Sequence, residues 1–265
     1  MTDQIQFTDG AGYERYMGVW SQRVGEAFLD WLRPATGLRW LDVGCGNGAF
    51  TELLMARCTP AAVDGIDPSD AQLAFARTRF APEVARFHLG DAMAQPFENA
   101  AFDAAVMPLV LFFVPEPSRG VAEMVRVVRP GGTVAAYAWD IPGGGFPYEI
   151  LQQELRALGA TVPMPPSPDA SKLDVMQALW TGAGLEQVAT RAITVQRTFA
   201  GFDDYWATIT LGPSVGRPLA SLTEASREVL RTRLRERLQP AADGRITCSA
   251  TAHAVRGLVP ASRLR

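Results

Sequence analysis

Trp40-Leu41-Asp42-Val43-Gly44-Cys45-Gly46-Asn47-Gly48-Ala49 decides the fold. Residues 39–43 read as an apolar strand that enters a loop with three glycines and then a helical pattern over 50–55. Glycines let the chain turn sharply and let a ligand come close to the backbone, while the helix N-terminus presents free N–H groups to the same space. Further apolar runs at 61–66, 85–89, 103–107 and 133–139 alternate with amphipathic stretches. Leu73, Ala76 and Phe80 share one face of a helix over 71–80, and Val121, Met124, Val125 and Val128 do so over 121–128, where Pro130-Gly131-Gly132 is expected to stop the helix. Strand, helix and strand repeated in this way predict an α/β fold with a doubly wound, mostly parallel sheet. Such sheets take ligands beyond the carboxyl ends of their strands.

Outward from this block the punctuation changes. Residues 21–32 place Val24, Phe28, Trp31 and Leu32 on one helical face, and 142–169 form a Pro- and Gly-rich excursion with a short helix near 149–158. A helix over 172–182, two long strands at 185–198 and 245–255, and a mostly helical segment over 202–238 complete the pattern. The expected organisation is one domain over 1–265, with a cap helix within 10–36, a ligand-binding core at 37–140 and lid-like insertions at 141–169 and 199–244.

Composition narrows the function classes. With 265 residues, 48% hydrophobic, the chain can bury a real core, and a net charge of -3 gives no basic surface for nucleic acid. The apolar run 104–114 is far shorter than the roughly 20 residues a membrane helix needs, and residues 1–10 lack the apolar stretch of a secretory signal. A cytoplasmic location is expected, and the abundance of arginine over a single lysine, Lys172, suggests a bacterial source. Cys45, Cys58 and Cys248 show no pairing pattern, and His88 and His253 stand at no metal-ligand spacing, so no metal site is expected. Both histidines read as ordinary strand residues.

The glycine loop admits two ligands. Gly44, Gly46 and Ala49 satisfy G-x-G-x-x-G/A, and Asp67 lies 21 residues after Gly46, where a dinucleotide fold holds ribose. Asp42 separates the readings, because a carboxylate two residues before the first glycine repels a pyrophosphate and attracts a cation. S-adenosylmethionine is such a cation, with an ammonium, a sulfonium and an adenosine for Asp67. An NAD(P)-dependent oxidoreductase remains the alternative, as does a cofactor-binding protein without turnover.

Residues 41–48 resemble motif I of the class I S-adenosylmethionine-dependent methyltransferases. Gly65-Ile66-Asp67-Pro68-Ser69 is similar to the family's acidic strand end, Gly90-Asp91-Ala92 to its adenine-side loop, and residues 126–132 to its turn into the fifth strand. The resemblance implies a seven-stranded sheet with an antiparallel last strand, and small-molecule members of the ubiquinone- and menaquinone-biosynthesis type are the nearest in kind. It also implies that Asp42, Gly44, Cys45 and Gly46 meet the methionine part, Asp67, Pro68 and Ser69 the ribose side, and Gly90, Asp91 and Ala92 the adenine. Met107 and Pro108 would face the methionine end. Tyr13, Tyr16, Met17 and Trp20 are similar to a segment that closes over the cofactor in related enzymes, with Tyr16 and Trp20 the expected contacts.

Relatives that use a histidine shortly after strand 4 have no counterpart here, since Leu111-Phe112-Phe113 stands in its place. That departure argues against the histidine-assisted O-methyl transfer of those relatives, and the sequence names no catalytic residue. Phe113, Trp139, Asp140, Tyr148, Tyr205 and Trp206 are the candidate contacts to a small, partly apolar acceptor, because aromatics near strand ends commonly line apolar pockets. Acceptor identity and oligomeric state are not legible.

Overall fold

The computed structural model describes residues 14–210 and 212–261. Seven strands form one sheet in the order β3-β2-β1-β4-β5-β7-β6. β1 (Arg39–Val43), β2 (Ala62–Asp67), β3 (Ala85–Leu89), β4 (Phe102–Pro108) and β5 (Val128–Trp139) run parallel. β7 (Ile246–Leu258) pairs antiparallel with β5, and β6 (Glu186–Phe199) forms the edge beyond it. Chain growth reverses at β1, with β2 and β3 on one side and β4 and β5 on the other. The crevice of this doubly wound sheet therefore opens at the carboxyl ends of β1 and β4.

Nine α-helices are present among the described residues: α1 (Val19–Leu32), α2 (Ala49–Cys58), α3 (Asp70–Arg79), α4 (Pro117–Val127), α5 (Glu149–Ala157), α6 (Leu173–Gly182), α7 (Phe202–Ile209), α8 (Pro213–Ser221) and α9 (Glu224–Arg237). Central strands covered on both faces carry continuous apolar runs, as Ala104–Met107 does with every residue fully buried. Local chemistry sets the helix ends. Ser69 caps α3 by accepting from the Gln72 N–H, Asp70 lies in its first turn, and Arg77 and Arg79 in its last complement the helix dipole. Pro117 opens α4, whose Val121, Met124 and Val125 face the core.

One expectation needs correction. Pro130-Gly131-Gly132 does not stop the helix: α4 ends at Val127, and β5 starts at once with Val128 paired to Phe102. The next pairing is Ala104 with Thr133, so Asp103 alone faces residues 129–132 and the strand bulges there. Glycine composition at this point serves the bulge. Gly131 has φ +74°, and a Cβ on Gly132 would lie 2.5 Å from the Asp103 carbonyl oxygen.

The chain divides into two compact units. The larger comprises Ser21–Gly143, Pro165–Ile193 and the described residues from Thr251, and holds most of the sheet. The smaller gathers residues 14–20, Gly144–Met164 and the described part of Thr194–Ala250. Its core is aromatic, with Tyr16, Trp20, Tyr148, Phe199 and Tyr205 all buried, and Arg233 and Arg237 of α9 pair with Glu154 of α5. Of the segments expected as cap and insertions, residues 14–20, 144–164 and the described part of 199–244 fall in this unit, whereas 21–36, 141–143 and 165–169 fall in the larger. Tyr13 lies outside the described residues.

Candidate cofactor site

The glycine loop is pinned to the end of β2, where the Gly44 and Cys45 N–H groups both donate to the Ile66 carbonyl, at 2.8 and 3.1 Å. Two of its glycines do different work. Gly44 has φ +75° and a Cβ there would lie 2.4 Å from Val110 Cγ2, so its lack of a side chain is demanded by the fold. Gly46 also has positive φ, +52°, but no atom lies within 4 Å of where its Cβ would stand. The space before Gly46 is open to a ligand.

Two carboxylates belong to this loop and its neighbour strand. Asp67 accepts from the Gly46 N–H through Oδ2 at 2.9 Å and from the Ser69 N–H through Oδ1 at 2.8 Å. Burial nevertheless pushes its carboxyl above the ordinary value, against the pull of those two donors. Asp42 is fully buried, and its Oδ2 accepts from Thr51 Oγ1 at 2.7 Å. Its Oδ1 has no partner. Burial raises the Asp42 carboxyl to about 7, the Thr51 hydroxyl opposes that rise, and the charge of Asp67 adds to it. Cys45 lies beside both, and burial first, then the two carboxylates, push its thiol far above the ordinary value. It is no nucleophile.

Neighbouring loops complete this end of the sheet. Pro68 and Ser69 carry the chain from β2 into the capped start of α3, and Gly90 N–H donates to the Asp67 carbonyl at 3.2 Å. Asp91 is exposed and accepts from the Met93 N–H at 2.8 Å, which folds the loop around half-buried Ala92. Met107 and Pro108 are buried at the end of β4, and Leu109 beyond them takes φ +59° while its N–H donates to the Tyr137 carbonyl at 2.7 Å. A leucine held in the left-handed region is strained, and such strain collects at functional sites. Thr51 and Val110 were invisible as site residues in the sequence. The one available signal was a threonine on the face of α2 that otherwise meets the core.

The acceptor candidates, together with Tyr16 and Trp20, which were expected at the cofactor, fall into two groups. Phe113, Trp139 and Asp140 belong to the larger unit, with Trp139 buried and its indole N–H without a partner. Asp140 accepts from the Gly143 N–H through Oδ1 at 2.9 Å, and its Oδ2 lies 3.7 Å from His253 Nε2. Tyr16, Trp20, Tyr148, Tyr205 and Trp206 belong to the smaller unit. Tyr148 stacks on Tyr16 at 4.4 Å, accepts from Trp20 Nε1 at 3.1 Å and donates to the Tyr16 carbonyl at 2.6 Å. Tyr205 is buried, and Trp206 packs on Phe202 and under Arg231. In this arrangement the polar ends of Tyr148 and Trp20 are committed to each other.

Residues 41–136 match the family model described as a methyltransferase domain. The methyltransferase GfsG of Streptomyces halstedii is 36% identical over 148 residues, which cover 50% of this chain and 51% of that protein. The ubiquinone/menaquinone biosynthesis C-methyltransferase UbiE of Dinoroseobacter shibae is 34% identical over 126 residues, 46% of this chain and 50% of that protein. The chain spans about half the length, or less, of the curated relatives it matches. Among solved structures, a putative methyltransferase from Bacillus halodurans superposes with a TM-score of 0.61 at 15% identity, covering 89% of this chain and 98% of that one, which is a likeness of fold. With the sheet order, the glycine loop and the carboxylate pair in place, the core of this chain is a class I S-adenosylmethionine-dependent methyltransferase domain.

Proposed function

We propose that the protein binds S-adenosylmethionine at the carboxyl ends of β1, β2 and β4 and transfers its methyl group to a small, partly apolar acceptor. The observation that carries this reading is the carboxylate pair of the glycine loop: Asp67 accepts from the N–H of Gly46, whose Cβ position is open, and buried Asp42 keeps an Oδ1 with no partner. A lone carboxylate oxygen without a donor is costly in a fold unless a cation completes it. The residues present fit the group. Asp42 and Asp67 together favour a positive ligand and oppose a pyrophosphate, the open approach at Gly46 leaves room for it, and the second acceptor position of each Asp67 oxygen is available to ribose hydroxyls. Asp91 and Ala92 would take the adenine edge, and the backbone at Met107 and Pro108 the methionine end.

When bound, S-adenosylmethionine supplies a methyl carbon already activated by its sulfonium. What remains for the chain is to orient that carbon, bring the acceptor into line and exclude water. Carboxylates set cofactor orientation here. The UbiE relative is named for ubiquinone and menaquinone biosynthesis, which supports an acceptor of small-molecule size.

Thermal shift against S-adenosylhomocysteine, NADH, NADPH and FAD tests the cofactor reading. Stabilisation by the first and by none of the others is expected. A larger melting-temperature rise with NADH would instead favour the oxidoreductase, whose G-x-G-x-x-A spacing this loop also satisfies. Stabilisation by S-adenosylhomocysteine without transfer from labelled cofactor to any extract or compound library would favour a binding protein.

A further inference from the structure

His253 and Asp140 meet at the same end of the sheet as the glycine loop. β7 runs antiparallel to β5, so its early residues lie beside the carboxyl end of β5: Ala252 pairs with Trp139, His253 with Ala138, and the Asp140 N–H donates to the Thr251 carbonyl. β5 is two strands from β1, a lateral offset of about 10 Å at the usual strand spacing, which is room for the methionine tail and an acceptor.

The geometry fixes which ring nitrogen is basic. His253 Nδ1 lies 2.8 Å from the Ser171 carbonyl oxygen, which can only accept, so Nδ1 carries the proton in the neutral ring. The lone pair is then on Nε2. That nitrogen faces Asp140 Oδ2 at 3.7 Å, too long for a hydrogen bond, while Oδ1 is already held by the Gly143 N–H. A proton arriving at Nε2 gains a carboxylate neighbour; without it the lone pair faces negative charge.

Both partners are held firmly. The Ile141 N–H donates to Ser171 Oγ, which in turn donates to the Pro168 carbonyl, so the turn after β5 is tied to the 3-10 turn Pro168–Ser171. The side chains retain 13% and 17% exposure, enough for contact with a small molecule and little enough to limit water. The same turn and α6 bring Asp169, Lys172 and Asp174 to this end. Lys172 is bonded to Asp169, and its ammonium is held in the charged form first by that bond, with Asp174 and Asp140 adding to it.

We propose that His253 Nε2 is the proton acceptor for methyl transfer to a phenol- or enol-type hydroxyl, with Asp140 as its positioning residue; this rests on the methyl-transfer reading. As the acceptor oxygen bonds to the methyl carbon, the carbon–sulfur bond breaks with its electron pair going to sulfur. The hydroxyl proton passes to Nε2, and the resulting imidazolium sits beside the Asp140 carboxylate until it loses that proton to water. An ordinary imidazole takes its proton at about 6.5 and a phenol loses its own near 10, a gap a positioned base can bridge, whereas an aliphatic alcohol lies far beyond it. The histidine absent after strand 4 is thus supplied from the last strand.

The test has an arm that needs no turnover. Only two histidines exist, so ring-nitrogen NMR of the whole protein, assigned with His88→Gln, reads the tautomer of His253 directly. An Nδ1-protonated neutral ring is expected, and an Nε2-protonated ring overturns the proposal. Labelled transfer to para-cresol and para-nitrophenol at about pH 8 forms the second arm. His253→Gln should lower cresol turnover by about a hundredfold and remove the acid limb of its pH profile, while nitrophenol, already ionised, changes by less than about threefold. Asp140→Asn should lower kcat for cresol by about tenfold with little change in KM. Equal losses for both phenols, or no cresol turnover by a protein that S-adenosylhomocysteine stabilises, also overturn it. Absence of that stabilisation is the separate failure of the methyl-transfer reading itself.

Discussion

Thr51 Oγ1 donates to Asp42 Oδ2 at 2.7 Å and leaves Oδ1 buried with no partner, so one carboxylate at the heart of the glycine loop is half satisfied. Its carboxyl is raised to about 7, burial being the largest cause. The folded state therefore holds a proton that the unfolded chain loses near 4, and folding stability falls as pH rises through that window. Three pKa units correspond to at most about 4 kcal/mol, fully present below pH 4 and lost by about pH 7. The ligand-free protein should melt at lower temperature at pH 8 than at pH 5.5, more steeply than Asp42→Asn does. Binding of S-adenosylhomocysteine near pH 6.5 should release a proton, read by calorimetry in buffers of different ionisation enthalpy. A proton uptake would contradict the assignment of Asp42 to the ligand's ammonium.

Gly44 and Gly46 separate fold from ligand. Gly44→Ala sets a Cβ against Val110 at a left-handed position and should cost about 2–4 kcal/mol of stability. Gly46→Ala meets no atom and should cost about 1 kcal/mol, the ordinary strain of alanine at positive φ. Cofactor affinity should nonetheless fall in Gly46→Ala, because the new methyl enters the ligand's approach. Melting curves paired with calorimetric titration decide it: a Gly46→Ala protein that binds S-adenosylhomocysteine like the parent would move the ligand elsewhere.

The contrast between these two glycines also shows what the sequence could and could not carry. Parallel strands buried on both faces are legible as runs such as Ala104–Met107, and the capped start of α3 is legible in Ser69. The start of β5 is not, because Pro130-Gly131-Gly132 has the composition of a helix stop and only its pairing against Phe102 and Asp103 makes it a bulged strand. Around the glycine loop, Asp42, Gly44, Gly46 and Asp67 form a local motif readable from spacing. The bond from Thr51 and the approach of His253 to Asp140 join residues separated in the chain, and no periodicity announces them. The aromatics of the smaller unit were visible as residues, but their burial and mutual bonding are tertiary facts.

Asp67 braces the loop as well as facing the ligand space. Both oxygens accept backbone N–H groups, from Gly46 and Ser69, so Asp67→Ala removes two anchors along with any contact to ribose. Hydrogen bonds to a charged acceptor are worth about 1.5–3 kcal/mol each, and a loss of roughly a hundredfold in cofactor affinity follows. Amide exchange at Gly46 should quicken in the same variant even without ligand. Unchanged exchange with reduced affinity would assign Asp67 to the ligand alone.

Tyr148 should prove to be a stability residue of the smaller unit. Its hydroxyl accepts from Trp20 Nε1, donates to the Tyr16 carbonyl, and lies 3.3 Å from Arg197 Nη1. Burial pushes the phenol up to about 12, so it stays protonated and cannot serve as a base near neutral pH. Tyr148→Phe keeps the ring on Tyr16 but leaves the buried indole N–H of Trp20 without its acceptor, at a cost of about 1–3 kcal/mol. A lower melting temperature with unchanged affinity for S-adenosylhomocysteine is the expected outcome. If the phenylalanine variant keeps its stability and instead loses turnover of an acceptor that the parent methylates, the hydroxyl contacts that acceptor, and the bond to Trp20 is secondary.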